Sequence, residues 1–213
     1  PRPVILAPLL NELRSNKFKR VVQTIVYLPH FLSWLVVATL LIPMLSPSTG
    51  VINQLIVRLG GESIYFMSDP GWWIFIYVAS GVWKSIGWGA IVYLAALAGV
   101  DPSLYEAAII DGANKWQQCI HITIPSIIPT IMVLLILNVG QIMSIGFDQP
   151  YLLGNSSVTE VSEVISTYVY RLGLESPDIS RSTAIGLFQS LVNFVILLIT
   201  NTVSKKVTGS GIY

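Results

Sequence analysis

The chain has 213 residues, of which 53% are hydrophobic and 11% are charged, and its mean hydropathy is +0.69. A soluble globular domain carries roughly a quarter charged residues, so the composition excludes that class and predicts an integral membrane protein. The net charge of +1 gives no long-range field that would favour nucleic acid as a partner. Cys119 stands alone, which excludes an internal disulfide and a cysteine-based metal site.

The first segment, residues 1–11, is apolar but too short to cross a bilayer. It also lacks the basic start and the small-residue cleavage site of a signal peptide. We interpret it as the end of a transmembrane helix whose earlier part lies outside this sequence. The whole protein is therefore expected to have at least one further helix.

Four longer segments are each expected to cross the membrane, because a span needs about 20 predominantly apolar residues. These segments are residues 21–45, 71–99, 127–147 and 183–204. Lys84 is the only charged residue in any of them. No internal repeat or low-complexity stretch is present, so residues 1–213 are predicted to form a single transmembrane domain.

The distribution of basic residues predicts the orientation of the spans, because Lys and Arg near helix ends favour the cytoplasm. The residues that decide this are Arg14, Lys17, Lys19, Arg20, Lys205 and Lys206. Both ends of the set of four spans are then cytoplasmic, as an even number of spans requires. By alternation, residues 100–126 form a cytoplasmic loop, whereas residues 46–70 and 148–182 lie outside.

Within the second outer loop, residues 161–174 have apolar positions close to a helical period and predict a short helix. Two interpretations remain open for it. It is either an interfacial helix held by Tyr168 and Tyr170 or a docking surface for a partner protein.

The cytoplasmic loop contains residues that typically start and end helices, in a pattern that predicts two short helices. Asp101 is suited to cap the first one, and Pro102 suits its first turn. Gly112 can adopt the left-handed conformation that ends a helix. A second helical piece over residues 115–122 then leads to the next span. Short amphipathic connecting helices are common in membrane proteins, so this pattern alone does not establish a docking site.

The residue types in this loop add a specific motif. Glu106-Ala107-Ala108 is followed after three residues by Gly112 and after nine more by Ile122-Thr123-Ile124-Pro125. This pattern resembles the EAA loop of ABC importer permeases, which reads Glu-Ala-Ala, three residues, Gly, nine residues, Ile-x-Leu-Pro. The one departure is Ile124, where Leu is usual. The resemblance assigns coupling to an ATPase to Glu106, Ala107, Ala108, Asp111, Gly112, Ile122 and Pro125.

The resemblance covers nearly the whole chain, and residues 9–40 and 81–113 look like the maltose-type, oligosaccharide-importing branch of these permeases. It implies an all-α polytopic bundle of the type I importer kind with a cytoplasmic EAA coupling helix, in a bacterial inner (cytoplasmic) membrane. It also implies pairing with a second permease, expected here as a heterodimer, and docking of each EAA loop into a cleft on one subunit of an ATPase dimer. An extracellular solute-binding protein would deliver an oligosaccharide or polysaccharide fragment.

The chain carries no catalytic machinery of its own. It has no G-x-x-x-x-G-K-[ST] phosphate loop, so ATP and Mg are expected on the partner ATPase and no cofactor on this chain. No metal-ligand cluster or catalytic set is apparent, and His30 and His121 are interpreted as structural. The rival hypothesis is an ATP-independent channel or secondary transporter, which would need ionisable residues in its spans. Lys84 alone supports it.

A substrate path is predicted from depth, since a helix rises about 1.5 Å per residue and the midplane lies roughly 10 to 15 residues from the cytoplasmic end of a span. The polar or aromatic residues near that depth are Ser85, Trp88, Asn138, Gln141, Ser144, Gln189 and Asn193. They either line a watery path for a sugar or serve as donors between packed helices. For Lys84, pairing with a carboxylate, contact with an anionic sugar and snorkelling all remain open.

Overall fold

The computed structural model describes residues 2–13 and 15–208, and this part of the chain is helical without any β-strand. Arg14, one of the residues behind the predicted orientation, lies outside the described residues, as do residues 1 and 209–213. The predicted all-α fold class is confirmed.

The helices, in chain order, are α1 (Arg2–Asn11), α2 (Asn16–Tyr27), α3 (Trp34–Met44), α4 (Val51–Arg58), α5 (Pro70–Ala98), α6 (Pro102–Ile110), α7 (Lys115–Gln118), α8 (Ile124–Ser126), α9 (Ile128–Gly140), α10 (Asp148–Leu153), α11 (Thr159–Ser162), α12 (Ile165–Tyr170) and α13 (Ile179–Thr208). Short 3-10 turns occupy Leu28–Phe31 and Ser156–Val158, and single π-helical turns occupy Cys119–Thr123 and Arg171–Glu175.

By length and composition, α5 and α13 are long and apolar enough to cross a membrane. Two further pairs of helices reach that length only if each bent pair is counted as one span, which gives up to four spans in the described part of the chain. Of these pairs, Lys115–Ser126 and Ile128–Gly140 meet at an angle of 59°. The other pair is Lys17–Phe31 with Trp34–Met44.

Residues 21–45, predicted as one span, do not form a continuous helix. The helix α2 ends at Tyr27 and is followed by the 3-10 turn. Pro29 has no backbone N–H to continue the helical hydrogen bonds. Ser33 then starts α3 as its N-cap, because its hydroxyl oxygen accepts a hydrogen bond of 3.2 Å from the amide of Val36.

Two other segments also differ from a single regular helix. The helix α9 ends at Gly140, so the last part of the predicted segment 127–147 is not helical. In the predicted helix 161–174, the chain is extended at Glu163 and Val164, which separates α11 from α12. By contrast, α13 extends beyond residues 183–204 at both ends.

The described residues divide into two compact units. The first contains those within 1–30, 83–140 and 194–213. Its core joins α1, α5 and the residue just before α9 through buried apolar side chains, which are Ala7, Ala90, Tyr93, Leu97 and Ile127. Gly87 of α5 lies so close to α2 that a Cβ atom there would overlap the carbonyl oxygen of Val26. The absence of a side chain at Gly87 therefore permits this helix contact.

The second unit comprises Phe31–Val82 and Gln141–Asn193. One cluster of its core contains Ala38, Trp73, Leu153 and Val158, and a second contains Leu45, Phe66 and Ile76. The indole N–H of Trp73 donates a hydrogen bond of 2.8 Å to the carbonyl of Leu153, so α5 is tied to the end of α10.

Candidate functional site: the loop of residues 100–126 and the polar side chains of the helices

The loop of residues 100–126 begins with a capped helix, as predicted. The carboxylate of Asp101 accepts a hydrogen bond of 2.9 Å from the backbone amide of Ser103, and Pro102 occupies the first turn of α6. The hydrogen bond from the Ser103 amide, and then that from its side chain, lower the pKa of the Asp101 carboxyl. The start of α6 is therefore fixed by the sequence immediately around it.

The end of α6 is a Schellman turn centred on Gly112. Gly112 has a φ of +79°, which places it in the left-handed region. The amide of Ala113 donates to the carbonyl of Ala108 at 2.8 Å, and the amide of Gly112 donates to that of Ile109 at 3.0 Å. These two bonds satisfy carbonyls that the helix end would otherwise leave without donors. The predicted helix-ending role of Gly112 is confirmed.

The second helical piece covers the predicted residues 115–122, but only its first part is α-helical. Asn114 and Gln117 form a capping box in which each side chain bonds the backbone amide of the other, at 2.9 and 2.8 Å. The α-helix α7 stops at Gln118, and the chain continues as the π-helical turn. The hydroxyls of Tyr105 and Thr123 are 3.0 Å apart, so this turn is tied back to α6.

The surface of this loop combines charge with exposed apolar side chains. Glu106 and Asp111 are exposed. Ile110 is 86% exposed and Trp116 is 72% exposed, although the loop is otherwise rich in polar residues. Exposed aromatic and large aliphatic side chains are typical of the anchors of protein interfaces. The sequence motif did not identify Ile110 or Trp116 as interface residues. The position of Trp116 beside a helix cap in a polar loop could have indicated such a role.

Three of the predicted path residues, Ser144, Gln189 and Asn193, are brought together in the second unit. Asn193 donates to the hydroxyl of Ser144 at 2.7 Å and accepts from the amide of Met143 at 3.3 Å. Gln189 donates to the carbonyl of Met143 at 2.6 Å. Both amides of α13 thus bind the non-helical backbone that follows α9. Such backbone needs partners at membrane depth, so a packing role is evident for these side chains.

Trp88, another predicted path residue, is held in the first unit by His30 and lies one turn from Lys84. The rings of His30 and Trp88 are stacked, with centroids 4.5 Å apart and planes 3° from parallel. The Lys84 ammonium donates a hydrogen bond of 2.8 Å to the backbone carbonyl of His30. This bond supplies a partner for Lys84 that the sequence could not reveal. His30, interpreted from the sequence as structural, is a direct neighbour of a predicted path residue.

The remaining predicted path residues show different environments. Asn138 donates to the carbonyl of Leu134, at 2.6 Å, within its own helix. Ser85 and Asn138 belong to the first unit, and Gln141 belongs to the second. All three side chains are exposed. Their role as a sugar path stays a prediction.

The sequence is similar to those of known transport proteins over its whole length. The sequence matches the family described as "Binding-protein-dependent transport system inner membrane component" over residues 4–209. Over 213 residues it is 45% identical to the polygalacturonan/rhamnogalacturonan transport system permease protein YteP of Bacillus subtilis (strain 168), covering 100% of this chain and 66% of the relative. It is 46% identical to Protein LplB of the same organism, covering 67% of that relative. The chain thus spans about two thirds of the length of these curated relatives.

A solved structure is also similar. It is a chain of a bacterial alginate ABC transporter in complex with an alginate pentasaccharide-bound periplasmic protein. The TM-score is 0.95 at 45% sequence identity, over 100% of this chain and 74% of the other. Together with the family match over nearly the whole sequence, this similarity establishes the fold as that of an importer permease. The chain belongs to the family of binding-protein-dependent transport system inner membrane components.

Proposed function

We propose that this chain is a membrane-spanning permease subunit of an ATP-driven importer, which forms a translocation path together with a second permease and couples to a cytoplasmic ATPase. The chain itself is proposed to be non-catalytic. ATP and Mg would bind the ATPase subunits, and an extracellular solute-binding protein would deliver the substrate. The loop of residues 100–126 and the carboxyl terminus are proposed to face the cytoplasm, as the basic residues in the sequence predict.

The observation that carries the coupling role is the construction of that loop. A capped helix, a Schellman turn at Gly112 and a capping box at Asn114 fix its backbone by local hydrogen bonds. On this frame Glu106, Ile110 and Trp116 are exposed. A rigid element that presents apolar anchors beside a charge loses little conformational entropy when it binds a partner. This property suits a loop that couples to an ATPase.

The substrate is proposed to be a fragment of an acidic polysaccharide. One of the relatives described above, YteP, is named for the transport of polygalacturonan and rhamnogalacturonan. The similar structure belongs to an alginate transporter, and a second solved structure, also 45% identical, belongs to an importer of the acidic polysaccharide alginate. Polar side chains within apolar helices are consistent with a path for a hydroxylated solute.

The test is uptake into vesicles that contain the whole complex, with this chain, its partner permease, the ATPase and the binding protein. Labelled galacturonate oligomers are expected to accumulate only with ATP. The double variant Glu106→Lys, Gly112→Trp should lose uptake and ATPase association while still inserting in the membrane. Charge-assisted contacts are worth about 1.5–3 kcal/mol when shielded from water, and Lys at position 106 would reverse the charge of such a contact.

Normal docking and normal uptake by the double variant would contradict the coupling role. Uptake by the wild-type chain without the ATPase would instead favour the ATP-independent transporter.

A further inference from the structure

The helix α2 presents an apolar stripe that the described chain leaves largely uncovered. Four large apolar side chains recur at three- and four-residue spacings along α2 and into the turn after it, so they share one face: Phe18, Val21, Ile25 and Leu28. Each of them is 56% to 65% exposed. Another face of α2 packs on α5, where Gly87 lies close to the carbonyl of Val26. The stripe is therefore open to a component outside this chain.

The residue types and the length of the stripe favour lipid as that component. Contacts between transmembrane helices are enriched in Gly, Ala, Ser and Thr, because small side chains let two helices approach closely. None of the four side chains of the stripe is of this kind. At about 1.5 Å per residue, the stripe extends about 15 Å between positions 18 and 28. One leaflet contributes half of a hydrocarbon core of about 30 Å, so the stripe is as long as the acyl-chain region of one leaflet is deep.

Two exposed basic side chains stand beside the start of this stripe. Lys17 lies three positions before Arg20 and four before Val21, so it is a neighbour of both on the helix surface. Glu12 is the only acidic residue among residues 1–30, and its carboxylate forms an ion pair with Lys115 at 3.1 Å. Within the described part of the chain, neither Lys17 nor Arg20 forms an ion pair with an acidic side chain. Both positive charges can therefore bind an anion from outside the chain.

We propose that Lys17, Arg20 and the apolar stripe form a binding site for one anionic phospholipid. The lipid phosphate accepts charge-assisted hydrogen bonds from the ammonium and the guanidinium, and the acyl chains lie along the stripe. Phosphatidylcholine has the same phosphate, but its choline cancels the net charge, so an anionic lipid is preferred. Binding requires only that the chain lie in a membrane. The assignment of the site to the cytoplasmic leaflet rests on the proposed function.

The test is photolabelling of the whole complex in phosphatidylcholine vesicles that contain a small fraction of a probe lipid. The two probes are phosphatidylglycerol and phosphatidylcholine with the same photoreactive acyl chain, and labelled peptides of this chain are identified by mass spectrometry. The phosphatidylglycerol probe is expected to label α2 at least about fivefold more than the phosphatidylcholine probe, since a basic residue near an anionic surface contributes about that factor. Uptake is not measured, so the result is independent of transport.

The double variant Lys17→Gln, Arg20→Gln should reduce labelling by phosphatidylglycerol to the level of phosphatidylcholine and leave the latter unchanged. The double variant Lys17→Arg, Arg20→Lys retains both charges and should retain the preference. The matched control is Lys19→Gln, because the Lys19 ammonium is on another face of α2 and donates to the side-chain oxygen of Asn11 at 3.4 Å. It should leave the preference unchanged. Co-purification and the melting temperature of each variant complex verify assembly.

Four results would overturn the proposal. Equal labelling of α2 by the two probes in the wild-type complex would show no preference for an anionic lipid. An equal loss of preference in Lys19→Gln would show a diffuse effect of basic charge in place of a site. Suppression of the preference by excess soluble glycerol phosphate would show that the basic residues bind free phosphate. Absence of labelling by either probe would show that a partner protein covers the stripe.

Discussion

Gly112 shows how one residue can set the shape of a coupling loop. Its φ of +79° is costly for most residues with a Cβ, by roughly 1–2 kcal/mol, whereas Asn adopts this conformation more readily. Apart from Gly112 itself and its two chain neighbours, no described residue has an atom within 4 Å of the position that a Cβ would occupy. Within this chain, glycine is therefore required by the backbone conformation and not by lack of space. Contact with a partner protein could add a limit on the size of the side chain at this position.

This separation gives a prediction for a series at position 112. If backbone conformation dominates, ATPase association should fall in the order Asn, Ala, Val, with Gly112→Asn closest to the wild type and Gly112→Val lowest. If contact with the ATPase limits size, the smaller Gly112→Ala should bind better than Gly112→Asn. Association measured by co-purification from membranes, at equal levels of inserted protein, distinguishes the two orders.

Asn53 is a second residue that by itself sets the local course of the backbone, here at a buried position. The two N–H groups of its side-chain amide are shared among the carbonyls of Leu45, Ser46 and Ile64, at 3.2, 3.1 and 2.9 Å, and its oxygen accepts from the amide of Ile64 at 2.8 Å. This network holds together the chain segments on both sides of α4. A buried amide with four partners cannot be replaced by a residue of similar size without leaving backbone groups unsatisfied.

Asn53→Leu is therefore expected to destabilise the complex by about 2 kcal/mol or more, from several hydrogen bonds at about 1 kcal/mol each. The matched control is Gln54→Leu at the next position, where an exposed amide makes one hydrogen bond, to the carbonyl of Thr49. The melting temperature of the purified complex should fall clearly for the first variant and little for the second. Equal shifts would show that the network contributes nothing beyond one surface bond.

At the scale of elements, the break after α9 is the feature that most changes the interpretation of the path residues. Gln189 and Asn193 of α13 supply the partners that the backbone of Met143 lacks once the helix stops. Among the described residues, Asn138, in contrast, bonds only within its own helix, a pattern that contributes little stability. Residues at similar predicted depth thus have different physical roles.

Asn193→Leu should lower both the stability of the complex and its uptake, because Met143 and Ser144 would lose their partner. Asn138→Leu should leave assembly and melting temperature intact, and it should impair uptake if Asn138 lines the path. Both variants replace the same residue type, so each serves as the control for the other. Normal uptake by Asn138→Leu would make Asn138 a surface contact and remove it from the path.

The helix ends of the loop were predictable because their causes are local. Asp101, Pro102 and Gly112 determine the backbone through contacts within a few residues, and the structure has the cap and the left-handed turn where these residues predict them. The breaks at Leu28–Phe31 and after Gly140 were not predicted. Hydropathy is averaged over a window and does not detect a short break within an apolar segment. The hydrogen bonds that satisfy the backbone at these breaks join residues 46 to 54 positions apart, as in Lys84 with His30, so local sequence does not reveal them.

At the scale of the whole molecule, exposed apolar surface indicates where this chain meets other components. Trp116 and Ile110 belong to a loop that we propose to be cytoplasmic, where lipid does not cover them. Aromatic anchors commonly account for 2 kcal/mol or more of the binding free energy at the centre of an interface. These two side chains should therefore contribute a large share of the free energy of ATPase binding.

Trp116→Ala is expected to weaken ATPase association by at least about tenfold, which corresponds to 1.4 kcal/mol. The control is Leu59→Ala, which truncates a side chain that is 88% exposed in the segment proposed to lie on the opposite side of the membrane. Association is measured by titrating the ATPase onto the reconstituted permease pair. Equal affinities for Trp116→Ala and the wild type would place the interface elsewhere on the loop.

The long helices expose much of their apolar surface when the chain is taken alone. Among the described residues, the most apolar stretch of α13 has no buried position, and only a minority of positions in that of α5 are buried. Lipid can cover such surface, but the polar side chains Ser85, Gln141 and Asn138 are exposed as well. Exposed polar groups at membrane depth are tolerated where they face another subunit or a watery cavity, which supports pairing with a second permease.

We predict that this second permease is a different chain. Co-expression with it should give a complex that binds the ATPase and melts at a higher temperature than this chain expressed alone, because pairing removes the exposed polar groups from lipid. Size determination in nanodiscs, with each chain carrying a different tag, measures the composition of the pair. A stable homodimer of this chain that stimulates the ATPase to the same extent would contradict the prediction, and the translocation path would then be built from two identical sets of residues.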